Sequence, residues 1–256
     1  MNRRFQKKLV IVYSPDWSEG VGIAELVQGG DKTKKNILIR VYNISNLLCL
    51  IRTVVPDYIV MNIPIRENVS LICYLRRQLR TVPIIITQNR FFFSDRVVAE
   101  FFGFIWMQSY DTLLFGYPDV SLLECVTKNS FAGTFAAGIV CRDDANIPDI
   151  ILDEWLEYRL QLLIGSKKMA EIALNCFKKN IPVAEISTLR SCSKQLIYHY
   201  RCRVEHKLNI GNHHNDIIQS LLVKGGTSPH PACQGCQWNV GQCPLNAYCV
   251  KVNIYD

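Results

Sequence analysis

Short, almost wholly apolar runs alternate with longer mixed stretches through the first half of the chain. Leu9–Tyr13 (LVIVY), Asn36–Val41 (NILIRV), Tyr58–Ile63 (YIVMNI), Pro83–Thr87 (PIIIT) and Gly103–Met107 (GFIWM) predict five strands. Such continuous runs, lacking polar alternation, belong to strands buried on both faces of a parallel sheet. Between them, Ala24–Val27, Leu47–Val55, Val69–Arg80 and Ser94–Phe102 predict helices, and Val120–Lys128 predicts one more. Strand–helix alternation with short connections gives an α/β sheet whose chemistry sits at the C-terminal edge of its strands.

The pattern then changes. Gly133–Asp149 loses the alternation and collects Gly, Asp, Asn and Pro, which marks a linker. Ile150–Leu163 is a strong helix, able to cap the following domain or to pair with another subunit. In Ile181–Ile210, Pro182 starts a short helix with Ala184, Ile186 and Leu189 as its apolar members. Arg190–Cys192 interrupts, and Ser193 is an N-cap for a second helix. Ile197, Tyr200, Val204 and Leu208 recur at spacings of three and four and predict one core-facing stripe. The opposite face carries Gln195, Tyr198, His199 and Cys202, flanked by Lys194, Arg201, Arg203 and Lys207. Two helices, a tight turn and a polar, basic outer face describe a helix-turn-helix, although a merely solvated amphipathic hairpin has the same periodicity. Asn215–Leu222 follows, and its Ile217, Ile218, Leu221 and Leu222 suggest a dimer surface.

Charge sharpens this picture. The chain of 256 residues carries a formal net charge of +7. Between Gly165 and Lys224 the only acids are Glu171, Glu185, Glu205 and Asp216, against a clear excess of Lys and Arg. A polyanionic partner, double-stranded DNA, suits that stretch. No apolar run approaches the ~20 residues of a membrane span, and Leu9–Tyr13 is too short for an export-signal core. A soluble cytoplasmic protein is expected. Eleven cysteines then point to core thiols or metal ligands rather than disulfides.

LIYHYRCRVEHKLNI resembles the final-helix signature of LuxR/FixJ-type DNA-binding domains. Leu196 and Ile197 stand for its Thr-Val pair and Tyr200 for its His, while Val204, Lys207 and Leu208 close the pattern. Upstream, Glu185-Ile186-Ser187 matches the Glu-Ile-Ala of the scaffold helix, and the resemblance spans roughly Gly165–Leu222. Tyr198 replaces a usual Lys and Cys202 a usual basic or small residue, so no operator sequence carries over. The first half, over roughly Lys8–Phe135, resembles a flavodoxin-like two-component receiver domain. That resemblance implies an acidic pair after the first strand, a phosphorylated Asp after the third, a hydroxyl after the fourth and a Lys after the fifth. Here Ser14, Pro15 and Asp16 follow the first strand, Asn62 occupies the acceptor position, Thr87 keeps the hydroxyl, and Met107 or Gln108 stands for the Lys. An amide forms no acyl phosphate, so the resemblance implies a pseudo-receiver.

The resulting division is a pseudo-receiver over 1–133, a linker and connecting helix over 134–163, a LuxR-type helix-turn-helix domain over 164–224 and a Cys-rich tail over 225–256. In the tail, Cys233, Cys236, Cys243 and Cys249 follow C-x2-C-x6-C-x5-C. Four thiolates complete either a tetrahedral zinc site or a [4Fe–4S] cluster, and the unequal spacing with Pro244 after Cys243 favours the cluster. The expectation is a non-enzymatic transcription regulator, DNA-bound as a homodimer or as a heterodimer with a related regulator, with the tail sensing redox state or iron. A signalling adaptor working by protein contacts is the alternative. An iron–sulfur nucleic-acid enzyme is a third, and no paired carboxylates accompany the cysteines to support it.

Overall fold

The computed structural model describes residues 7–29, 36–116, 122–123, 148–210 and 214–224. Five parallel strands form one sheet in the order β2-β1-β3-β4-β5: β1 Leu9–Tyr13, β2 Ile37–Val41, β3 Tyr58–Met61, β4 Ile84–Gln88 and β5 Ile105–Ser109. Helices α1 (Trp17–Gln28), α2 (Ile44–Thr53), α3 (Val69–Gln78), α4 (Phe93–Phe102) and α5 (Tyr110–Gly116) follow the strands in turn. Side chains alternate across a strand, and both faces here are apolar. Ile11, Ile59, Met61, Ile84 and Ile86 join one core with Leu47, Ile51, Ile72 and Val98 from α2, α3 and α4. Val10, Val12, Val60 and Ile85 turn the other way, onto Ile23 and Val27 of α1 and Leu113 of α5. The continuous apolar runs are therefore sandwiched strands, as their composition implies.

Local chemistry explains where the elements differ from expectation. Helix α1 begins seven residues before Ala24 because the Asp16 carboxylate accepts from the backbone N–H of Ser18 and of Glu19, at 2.7 and 3.3 Å. Strand β5 starts two residues late, since Gly103 and Phe104 hold positive φ, at 64° and 50°, and cannot pair as strand. Helix α5 is new, and its signal was local: the Ser109 hydroxyl accepts from the Thr112 N–H at 3.4 Å, as an N-cap side chain does. The expected Val120–Lys128 helix lies outside the described residues except for Leu122 and Leu123, which are helical. The basic stretch along α3 is only partly a solvated face. Arg76 is buried, donates to the carbonyls of Leu79, Val82 and Phe104, and has its pKa pushed down to about 10 by burial.

The described residues from Pro148 onward are helical: α6 (Pro148–Ile164), α7 (Lys167–Ala173), which runs into a π-type turn over Leu174–Lys178, α8 (Val183–Leu189), α9 (Lys194–Lys207) and α10 (His214–Leu221). Leu156, Leu160 and Ile164 of α6 share a core with Met169, Phe177, Ile186, Ile197, Val204, Ile217 and Leu221. Leu152, one turn earlier, packs into the core of the α/β unit instead. The connecting helix is thus a spine with one end in each core.

Helix α10 divides the expected apolar surface. Ile217 and Leu221 are buried within the chain's own core together with Ser220, while Ile218 and Leu222 are half-buried. The receiver-like unit packs against the same helix through polar contacts. The Ser94 hydroxyl donates to the Gln219 carbonyl at 2.6 Å, and Arg90 pairs with Asp216 at 2.7 Å. Arg66 organises the same contact: its guanidinium reaches Asp95 at 2.9 Å, Glu67 at 3.1 Å and the Gln219 side chain at 3.3 Å, and its carbonyl accepts from the Lys224 N–H. Asp95 is wholly buried, and burial raises its pKa although Arg66 and the N–H groups of Phe92 and Arg66 oppose the rise.

Candidate nucleic-acid interface

The turn between α8 and α9 is built by its own side chains. The α8 helix stops at Arg190, Ser191 takes a left-handed φ of 47°, and the Ser187 hydroxyl donates to the Cys192 carbonyl at 2.6 Å. Cys192 is buried beneath the turn, and the Ser193 hydroxyl caps α9 by accepting from the Leu196 N–H at 3.2 Å. Ile197 and Val204 are fully buried, with Tyr200 and Leu208 packed beside them, so the predicted stripe faces the core. In α8 only Ile186 is buried; Ala184 is exposed and Leu189 is 67% exposed, because the chain turns away just beyond it. Val183 and Ile181 supply the missing apolar contact.

With its stripe buried, α9 turns Lys194, Gln195, Tyr198, His199, Cys202 and Arg203 outward on one exposed surface. Two of the expected contact residues are placed differently. Arg201 is half-buried, its guanidinium 4.8 Å from the Phe177 ring centre and 5.8 Å from that of Tyr198. It also opposes the burial that pushes the Cys176 thiol pKa up. Lys207, at the helix end, is exposed but lines a cleft toward the α/β unit. Arg190, in the turn, pairs with Glu171 at 3.0 Å. Of the scattered cysteines, Cys73, Cys176 and Cys192 are buried, Cys49 is half-buried and Cys202 is exposed, while Cys125 and Cys141 lie outside the described residues.

A second constellation lies at the C-terminal edge of the sheet. Asn62 directly follows β3, and both ends of its amide are engaged. Its Nδ2 donates to the Ser14 hydroxyl at 3.4 Å and to the Glu19 carboxylate, while its Oδ1 accepts from the Tyr110 hydroxyl at 2.5 Å. Burial first, and then the Glu19 charge, push the Tyr110 pKa up to about 12; the nearby Thr87 hydroxyl opposes the shift, although it forms no hydrogen bond of ordinary geometry. Gln108 is buried and in register with Thr87, whereas Met107 packs into the core. Asp16 is committed to capping α1, and its bonds from the Ser18 hydroxyl and the backbone lower its pKa. Asp57 accepts from the Leu9 N–H at 2.7 Å at the opposite edge of the sheet. Glu19 is therefore the carboxylate that faces Asn62, and the sequence reading missed it. Its spacing three residues after the capping Asp16 was the available signal.

Among the described residues no three His, Cys, Asp or Glu side chains group so as to hold a metal ion, and no helix is long and apolar enough to cross a membrane. Cys233, Cys236, Cys243 and Cys249 lie outside the described residues.

No protein-family model matches the chain, and no curated protein matches it at significant similarity. Solved structures do. A structure of two RcsB dimers bound to two parallel DNAs superposes with a TM-score of 0.55 at 14% identity, covering 84% of this chain and 98% of the RcsB chain. A complex of the two-component response regulator RcsB with DNA gives a TM-score of 0.53 at the same identity and coverage. The chain has the fold of the response regulator RcsB. RcsB from Salmonella enterica serovar Typhimurium, bound to promoter rprA in the presence of phosphomimetic BeF3-, gives 0.52, again at 14% identity over 84% of this chain. The RcsB-like fold thus accounts for the parallel sheet and for the helical unit together.

Proposed function

We infer that this chain is a DNA-binding transcription regulator that reads duplex DNA with the outer face of α9. The observation that carries this reading is the pair of surfaces on that helix. Ile197 and Val204 anchor one side completely, while Lys194, Gln195, Tyr198, His199, Cys202 and Arg203 form the other and are exposed. A helix held this way can enter a major groove, its N-terminal residues against base edges and its cations against phosphates. The RcsB structures bound to DNA share this fold, which supports the reading. The chain would act on DNA as a pair, with a second copy or with a related regulator, and without catalysing a reaction. Selection of bound sequences from a random duplex library tests it: one enriched motif is expected, and no enrichment over input would refute the reading.

The receiver-like unit would then be a docking module rather than a phosphate switch. Asn62 cannot form an acyl phosphate, and its amide already binds Glu19 and Tyr110. Incubation with acetyl phosphate and Mg²⁺ should leave no stable phosphoryl label. Stoichiometric label at Asp16, Glu19 or Asp57 would contradict this.

For the tail, the proposal rests on sequence alone: Cys233, Cys236, Cys243 and Cys249 would hold a [4Fe–4S] cluster, or zinc, in a redox- or iron-sensing or structural element. Protein purified without oxygen should be brown and contain iron. Replacing Cys236 and Cys243 with Ser should abolish the colour; wild-type protein holding neither iron nor zinc would remove the proposal.

A further inference from the structure

A cleft of about 680 Å³ opens between the two units, walled by α4 and the β5–α5 junction on one side and by α6 and the end of α9 on the other. Its volume is that of a small-molecule site, and domain junctions are where such sites concentrate. Four cations line it: Arg90, Arg96, Arg159 and Lys207; Glu100 is the acid among the lining residues.

Two of these cations are already neutralised. Arg159 pairs with Glu100 at 2.7 Å, and Arg90 pairs with Asp216 at 2.7 Å. Arg96 and Lys207 are exposed, and no ion pair is formed by either among the described residues. One belongs to α4 and the other to the end of α9, so two uncompensated charges face one cleft from opposite units. A concave, charged wall focuses such a field and draws in counter-charge. The other lining is suited to a flat ring. Phe91 and Phe93 are half-buried there, and the amides of Asn89 and Asn209 offer neutral donors and acceptors.

We propose that this cleft binds a nucleoside diphosphate, its phosphates between Arg96 and Lys207 and its base against Phe91 and Phe93. Cations on opposite walls call for at least two negative charges on the ligand, and the aromatic wall calls for a ring beyond the phosphates. The binding does not depend on the DNA-reading proposal, because Arg96 lies on α4, outside the helix-turn-helix.

Equilibrium dialysis of the full chain with ADP and with GDP tests it, with pyrophosphate and adenosine as separate arms. At least one diphosphate should bind saturably at one site per chain, more tightly than either fragment. Arg96→Gln and Lys207→Gln should each weaken it by roughly tenfold or more, as expected when one charge-assisted hydrogen bond is removed. Arg96→Gln should leave duplex DNA binding unchanged. Absence of saturable binding by both diphosphates, or undiminished binding in both variants, overturns the proposal. Pyrophosphate binding as tight as the diphosphates overturns the assignment of a nucleoside.

Discussion

Replacing Asp95 with Ala is expected to remove about 3–5 kcal/mol of stability, the cost of stranding one member of a buried ion pair. Its carboxylate accepts from the Arg66 guanidinium at 2.9 Å, the Arg66 N–H at 3.2 Å and the Phe92 N–H at 2.9 Å. Without it, an Arg66 side chain only 8% exposed keeps its charge beside Phe92 with the half-exposed Glu67 as its one remaining carboxylate among the described residues, and α4 loses the acceptor of its first turn. That loss is a large share of the 5–15 kcal/mol typical of folded proteins. Urea denaturation of this variant beside wild type would measure it, and a change within experimental error would contradict the assigned role. Arg66→Met should behave differently, since it strands an acid that can take up a proton.

The pH dependence of that second variant follows from linkage. Burial already raises the Asp95 pKa in the folded chain, with Arg66 opposing. Removing Arg66 raises it further, so the folded state holds a proton that the unfolded state has released. Stability relative to wild type is then best retained at or below the ordinary carboxylate range. It falls as pH rises from there through the folded-state value. The opposite slope would show that Asp95 stays ionised by some other partner.

Joint removal of two exposed cations on α9 should have the second large effect. Lys194→Ala with Arg203→Ala is expected to weaken binding to every duplex and to reduce the salt dependence by about one unit of slope for each phosphate left without its cation. Neither residue is buried, so folding should survive, and circular dichroism would confirm it. Fluorescence anisotropy over a salt series reads both quantities. Unchanged affinity and slope in the double variant would move the phosphate contacts elsewhere.

How much of this was legible in the sequence depends on how local each cause is. The five strands were, because continuous apolar runs such as Ile84–Ile86 are buried on both faces whatever their partners. The α9 stripe was legible for the same reason: Ile197 and Val204 repeat with the helix. The position of Asn62 directly after β3 was legible as well. Glu19 was missed because it reaches Asn62 across 43 positions, and the Arg66–Gln219 contact spans 153. Half of the α10 surface was hidden for a related reason: Ile217 and Leu221 are covered by the chain's own helical core, with Val97 of α4 alongside. Arg201 was assigned outward by periodicity, yet a guanidinium at the edge of that face packs over Phe177 instead.

If the exposed face of α9 reads bases, Gln195→Ala and Tyr198→Ala should change base discrimination. Binding of each variant would be measured against the selected site and against all its single-base-pair changes. Each variant should lose about 1–3 kcal/mol of preference at one or two positions while keeping its affinity for unrelated duplex. Both variants retaining the full wild-type preference at every position would contradict it.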